Sequence, residues 1–430
     1  MTSKKQLKTR IQARMAKTGE RYSTARTHIA GPRSPTVDHG WTLRGGVNPE
    51  SAALVGLLAH AGIRAGHELD EPLLFGIGGG IGAGYILWEF KHDDSRVVVL
   101  GFTNHWQRIA VPTGKVADRL GISVTEQRTG SVNAARRHLD AGRPALVWPD
   151  RFHIGYWNLP PALDGHGGHP VVAYARANGR VHLDDRNLTP LTVPEEDFDR
   201  ARARVGSYRN LAVTVADTDV VITSDRLRDA VVAGIADVAD HLSAPSDSFS
   251  LPAWRKWARM MIDQRNPKAW PKVFADQVGV FGALASVWEG VEPAGMDGGN
   301  LRDLFADFLD RAALILDRPV LAVEAGRWRD IAERWHALAE ITLSADIPAV
   351  ARLRVLTATI STSIGDGDEG SAERDEAARE LWALRAEHAR TSPFPDLDGQ
   401  FATIGAHLSD IHDAEAAGIV RLAEIAATLT

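Results

Sequence analysis

The sequence predicts an α+β domain built on an antiparallel sheet, followed by an all-α domain. Three observations carry this. Strand-like runs cluster between residues 85 and 215 without regular intervening helices, an Asn-Gly turn joins two alternating runs, and from Ser224 onward apolar residues recur with helical spacing. A chain of 430 residues exceeds one ordinary domain. The expected division is a basic helical arm and linker over 1–36, the α+β domain over 37–218 and the helical domain over 219–430.

The chain begins with Lys4, Lys5, Lys8, Arg10, Arg14, Lys17, Arg21 and Arg26 against the single acid Glu20, and Leu7, Ile11 and Met15 form a narrow apolar stripe. Such an arm suits an acidic partner, nucleic acid or a membrane surface, but the reading we favour is a solvated segment packed on its own protein. No base-reading motif accompanies the charge, so nucleic acid is not expected elsewhere. Gly31-Pro-Arg-Ser-Pro35 reads as a linker.

Gly45-Gly46 then break the chain, Asn48 is placed to cap a helix, Pro49 suits its first turn, and Ala52, Ala53, Val55, Leu57 and Leu58 make that helix apolar nearly all round. A second short helical piece leads into Phe75 to Tyr85, where the glycines argue for a loop that something approaches closely. Strands are expected at Tyr85–Phe90 and Arg96–Gly101, a helix around Gly114 to Leu120, and a short buried strand at Ala145–Trp148. The hairpin follows: His169 to Ala175, the Asn178-Gly179 turn, and Arg180 to Arg186. Val193 to Arg204 reads as a helix and Tyr208 to Val215 as a last strand. In the second half, Leu301, Leu304, Phe305, Phe308 and Leu309, then Trp328, Ile331, Trp335, Leu338 and Ile341, mark single faces of two long helices. Their spacing makes these tryptophans core residues.

Composition narrows the chemistry. The chain has no cysteine, which excludes disulfides, thiolate metal sites and a cysteine nucleophile. A hydrophobic fraction of 44%, a net charge of −6 and the absence of a signal-peptide pattern or long uncharged apolar run lead us to expect a cytoplasmic protein with no membrane partner. His169 opens one strand of the hairpin and Asp185 closes the other, so antiparallel pairing can join imidazole to carboxylate, either as an oriented base or as a structural tie. His166, His169 and His182 lack the helical spacing of familiar zinc sites, and no metal is expected. Gly76 to Gly84 has no Gly-Lys-Ser/Thr ending and no strand before it, so no nucleotide or other cofactor is expected.

Several segments together carry a resemblance. SAALVGLLAHAGI, EPLLFGIGGGIGAGY, GRPALVWPDRFHIGYW and HPVVAYARANGRVHLDDR resemble the N-terminal domain of the butirosin biosynthesis protein H family, whose fold is similar to papain-like cysteine peptidases. GMDGGNLRDLFADFLDRAALIL and RWRDIAERWHALAEI resemble the helical domain of unknown function that commonly follows it. The resemblance implies acyl transfer from a carrier-protein thioester to an amine in natural-product biosynthesis, with a cysteine at the start of the buried helix as nucleophile. It matches the family histidine to His169 and its orienting acid to Asp185, and it implies a pocket lined by Gly78, Gly79, Gly80, Tyr85 and Tyr156.

The nucleophile does not carry over. The family His-Cys pair falls on Asn48-Pro49, and proline has no side chain that can attack a thioester. The expectation is a cysteine-less, non-catalytic member that binds a small molecule or an acyl carrier protein. The alternative is an acyltransferase or amide hydrolase using a substituted hydroxyl, Ser51 or Thr42, with His169 as base and Asp185 orienting it.

Overall fold

A computed structural model of the chain describes residues 39–90 and 95–429. The basic arm and linker lie outside the described residues. The chain forms two compact units, and neither is continuous in sequence. The first comprises 39–63, Val124–Val220 and Thr359–Glu376; the second comprises Arg64–Ser123, Val221–Ala358 and 377–429. This grouping differs from a single cut after residue 218, because the segment 64–123 joins the second unit and 359–376 the first.

The first unit is built on a six-stranded antiparallel sheet. In chain order its strands are β4 (Val124–Gln127), β5 (Ala145–Val147), β6 (Val171–Ala177), β7 (Arg180–Asp184), β8 (Leu191–Pro194) and β9 (Ala212–Val215), and in space they run β4-β9-β5-β6-β7-β8. Val171, Val172 and Ala173 of β6 are wholly buried, as a central strand covered on both faces requires. Helix α1 (Pro49–His60) packs on β5, β6 and β9, and α4 (Val132–Asp140) lies on β6. The β6–β7 turn has Asn178 and Gly179 at φ 53° and 73°, the left-handed pair that matches the twist of a two-residue hairpin. Val193 belongs to β8 and the helix α5 starts only at Glu195 (Glu195–Arg204), rather than at Val193 as expected, while β4 and α4 form in stretches to which the sequence reading assigned no element.

The second unit pairs β1 (Arg64–Ala65) with β10 (Val221–Ile222), and β2 (Ile81–Phe90) with β3 (Ser95–Thr103). It is otherwise helical: α2 (Glu71–Ile77), α3 (Val111–Leu120), α6 (Ser224–Ser243), α7 (Pro252–Ile262), α8 (Trp270–Val273), α9 (Val280–Val291), α10 (Arg302–Leu316), α11 (Pro319–Thr342) and α14 (Leu397–Ala427). Two further helices, α12 (Pro348–Gly365) and α13 (Ser371–Glu387), carry the chain between units. The apolar faces expected of α10 and α11 are buried, Trp328 and Trp335 completely, except that Ile341 is half-buried. Phe102 of β3 packs against Trp254 and Trp335, which explains why the β2–β3 hairpin belongs with the helices.

The glycine-rich stretch is a joint between α2 and β2. Gly79 and Gly80 take φ 112° and 61° to turn the chain, and β2 begins at Ile81 rather than at Tyr85. A Cβ on Gly84 would stand 2.1 Å from Trp106 Nε1, and one on Gly101 2.2 Å from the same indole, so these glycines let Trp106 lie across the paired strands. Among the described residues no helix is long and apolar enough to cross a membrane.

Candidate functional site

The start of α1 is where the family nucleophile would stand. Asn48 caps the helix, its Oδ1 accepting the Ser51 N–H at 3.1 Å, and Pro49 occupies the first helical position. The Ser51 hydroxyl donates back onto Asn48, at 3.1 Å to Oδ1 and 3.4 Å to the carbonyl oxygen. Both residues are buried. Ser51 therefore serves the cap. Proline also removes the backbone N–H at residue 49, one of the donors that a helix start would offer to an oxyanion. Thr42 is exposed, and its carbonyl accepts from Arg44 Nη1 at 2.9 Å.

His169 lies two residues before β6, its N–H bonded to the Pro149 carbonyl at 3.0 Å. Its Nε2 meets Asp185 Oδ1 at 2.9 Å, and the side chains are 1% and 0% exposed. A carboxylate only accepts, so Nε2 carries the hydrogen and the lone pair of a neutral ring sits on Nδ1. Trp157 closes on the imidazole edge-on, with ring centroids 5.5 Å apart. The sequence expectation of an imidazole–carboxylate contact is met by this geometry.

Asp185 is the hub. Tyr156 OH donates to Oδ2 at 2.9 Å, and Arg186 Nε and Nη2 reach Oδ1 at 3.2 and 3.0 Å. The Asp185 N–H is taken by Asn187 Oδ1 at 2.7 Å. Burial opposes ionisation of Asp185, but His169, Arg186 and the Tyr156 hydroxyl outweigh it and hold the carboxyl below its ordinary value. Burial and the Asp185 charge push the Tyr156 hydroxyl the other way, well above the usual phenol range, so it stays a donor. Tyr156 thus buttresses the acid. Arg186 Nη1 also donates to the Val47 carbonyl at 2.9 Å, tying the His169–Asp185 pair to the chain just ahead of α1. The sequence reading assigned no role to Arg186. The signal available was its place directly after two aspartates at a strand end.

The remaining expected lining lies in the other unit. Gly78, Gly79 and Gly80 are buried, and a Cβ on Gly79 would stand 2.8 Å from Asn104 Nδ2 and 2.9 Å from Asp237 Oδ2. The protein's own side chains fill the space those glycines leave. Tyr85 stacks on Trp257 at 5.1 Å and accepts the Trp270 indole N–H at 2.7 Å, and burial pushes its hydroxyl well above the usual phenol range, so it stays protonated. These four residues read as packing around the α2–β2 joint.

Among the described residues, Asp150, His153 and Asp164 bring three possible metal ligands together. Their atoms are already engaged. Asp150 accepts the N–H groups of His153 and Gly165 at 3.1 and 3.0 Å, while Arg204 Nε and His153 Nε2 both meet Asp164 Oδ1, at 2.6 and 3.1 Å. The set pins the loop between β5 and β6, and the Arg204 cation pairs with Asp164. His166, His169 and His182 do not converge in such a group.

Comparison with known families agrees with this architecture. Residues 48–186 match the family described as butirosin biosynthesis protein H, N-terminal, and residues 196–364 match a domain of unknown function (DUF4872). No curated protein matches the sequence.

Proposed function

Since the chain belongs to the family that joins the butirosin biosynthesis protein H N-terminal domain to this domain of unknown function, we propose that it is a cysteine-less member that binds an acyl thioester, free or on a carrier protein, without forming a covalent intermediate. One observation carries the reading: Pro49 stands at the first position of α1, where it offers neither a nucleophile nor an N–H, while His169 and Asp185 form their pair in the same unit and Arg186 ties that pair to the Val47 carbonyl ahead of the helix. Acyl transfer needs an attacking atom, a base and donors for the oxyanion. The base stands here without the nucleophile. Ser51, the nearest hydroxyl on α1, is turned onto Asn48.

Intact-protein mass spectrometry after incubation with acetyl- and aminoacyl-pantetheine thioesters, with thiol release followed in parallel, tests this. We expect neither adduct nor release, together with calorimetrically detectable thioester binding that His169→Ala weakens at least tenfold. Pro49→Cys is expected to give an adduct in the same assay. An adduct on the unaltered chain that disappears in Ser51→Ala would replace this reading with a substituted-nucleophile acyltransferase.

A further inference from the structure

The side chains that fill the α2–β2 joint belong to a larger polar cluster in the second unit. Asn104 Nδ2 donates to the Gly79 carbonyl at 2.9 Å, and its Oδ1 accepts from Lys115 Nζ at 3.4 Å. Lys115 and Arg119 stand one turn apart on α3, the spacing that puts two side chains on one face. Both donate to the same oxygen of Asp237 on α6, Lys115 Nζ at 2.6 Å and Arg119 Nη2 at 2.8 Å. Arg119 Nη1 is spent on the Ile77 carbonyl at 2.5 Å. The three charged side chains are 17–21% exposed, so the group is sheltered yet open to water.

Two imidazoles complete the cluster. His241 follows Asp237 by one turn of α6, and the ring of His105, in the turn after β3, lies 4.7 Å from that of His241. His105 takes φ 52°, a left-handed conformation uncommon for a residue with a side chain. His241 Nε2 has no hydrogen-bond partner among the described residues. The charges acting on the two rings are Lys115 and Asp237, with Arg108 a further cation on His105. Burial lowers both imidazoles, His241 to about 4, and Lys115 adds to the lowering while Asp237 opposes it, so both rings are neutral at pH 7.

The balance of charge decides what this arrangement can hold. Two cations meet one carboxylate oxygen, Arg108 adds a third, and the imidazoles contribute no charge of their own. Lys115 keeps an N–H beyond those it gives to Asp237 and Asn104, and each neutral ring carries one more. A sheltered excess of positive charge with donors to spare is completed by an anion that accepts from several sides.

We propose that Lys115, His105 and His241 bind a phosphate group, with Asp237 and Asn104 positioning the ammonium. An imidazole beside a bound dianion is drawn toward its charged form, so binding takes up a proton. Restoring one ring to its ordinary value of about 6.5 makes a dianion of fixed charge bind about tenfold more tightly at pH 5.5 than at pH 7.5. Sulfate is the probe for that signature, because it does not titrate in this range.

Calorimetry on the full chain with sulfate and with inorganic phosphate is expected to show saturable binding, with the tenfold tightening of sulfate on acidification. Lys115→Gln should weaken both anions about tenfold or more. His105→Asn, which suits the left-handed turn, combined with His241→Gln should abolish the pH dependence of sulfate binding. Lys268→Gln, on the exposed surface of the same unit, should change neither. Absence of saturable binding, affinity indifferent to Lys115→Gln, or a pH dependence that survives the double histidine variant overturns the proposal. Should the variants fail to fold, ¹⁵N titration of His105 and His241 in the unaltered chain decides: phosphate must raise their midpoints, and midpoints that stay in place overturn the site. A parallel titration with 4′-phosphopantetheine identifies the source, since binding about tenfold tighter than inorganic phosphate assigns the site to a pantetheine arm and equal binding to free phosphate. That assignment alone rests on the function proposed above; the site is read with inorganic ions, so either idea can fail by itself.

Discussion

Each unit buries a carboxylate among donors, and the two are built to different ends. In the second unit Glu415 is wholly buried, and its two oxygens accept from Arg302 Nε and Nη2 and from the indoles of Trp335 and Trp254, at 2.8–3.1 Å. Arg302 is in turn held by the carbonyls of Asn300 and Gly82 and lies over the rings of Phe102, Trp254 and Trp335. Each of these donors is a guanidinium or an indole, which gives N–H groups and has no lone pair to take a proton. Asp185 of the first unit holds Arg186 and Tyr156 in a similar way, but its remaining partner is an imidazole with a second nitrogen. A buried charge whose partners are all fixed in protonation is architecture, whereas one that shares its proton network with a histidine can exchange protons with something outside it.

The sharpest way to break this contrast is at Glu415. Arg302→Met alone leaves a buried carboxylate without its cation, and we expect about 3–5 kcal/mol of destabilisation in the denaturant transition of the second unit. The double variant Arg302→Met, Glu415→Leu should recover most of it. Asp185→Asn should cost less, about 2 kcal/mol, because an acceptor remains for Tyr156 or His169 while the charge facing Arg186 is lost. Its pH signature separates the two sites. The Asp185 carboxyl is depressed, so its contribution is complete above about pH 4 and is lost as pH falls through the lower folded value; chemical melts between pH 5 and 2 should show an acid loss that Asp185→Asn lacks.

The second unit has a titrating histidine of its own, and it behaves oppositely. His336 meets Glu292 at 2.7 Å and Asp303 at 3.6 Å, and these carboxylates raise it to about 9 against the cost of its partial burial. Its stabilisation is complete below about pH 6.5 and disappears as pH rises through 9. Melts at pH 6 and pH 10 should differ by about 1–2 kcal/mol after solvent screening, and His336→Gln should remove that difference. The smallest effects belong to the α1 cap: Asn48→Ala should cost about 1 kcal/mol and Ser51→Ala under about 0.5 kcal/mol, both by thermal melting. A Ser51→Ala loss well above that would mean the hydroxyl does more than serve the cap.

What could be read from the sequence followed the range of the interactions. The faces of α10 and α11 were legible because helical periodicity repeats over fifteen and more residues. The β6–β7 hairpin was legible because Asn178-Gly179 fixes its own turn, and that turn brings His169 to Asp185. β4 and β8, four residues each at the two ends of the sheet, carry too little pattern to stand out. The start of β2 was hidden because Gly82 and Gly84 have no strand preference of their own, and their reasons lie at a distance: the Thr103 backbone leaves no room for a Cβ on Gly82, and Trp106 leaves none on Gly84. The role of Arg186 depends on a partner more than a hundred residues away, which no local pattern encodes. The glycines of 78–80 invited a ligand because an absent side chain reads alike whether the space is filled by substrate or by the protein itself.

The first unit does not end where its sheet ends. Residues 359–376 belong to it, with the Gly365 carbonyl accepting the Leu188 N–H at 2.9 Å and Asp368 bonding both the N–H and the hydroxyl of Thr192 at 2.9 and 2.7 Å. On the ribosome, then, the edge strand β8 waits through the synthesis of some 170 further residues for its last partners, and in the interval that edge is open to other chains. Expression of the first 218 residues alone should reproduce that interval permanently, as a sheet with an unguarded margin and a tendency to aggregate.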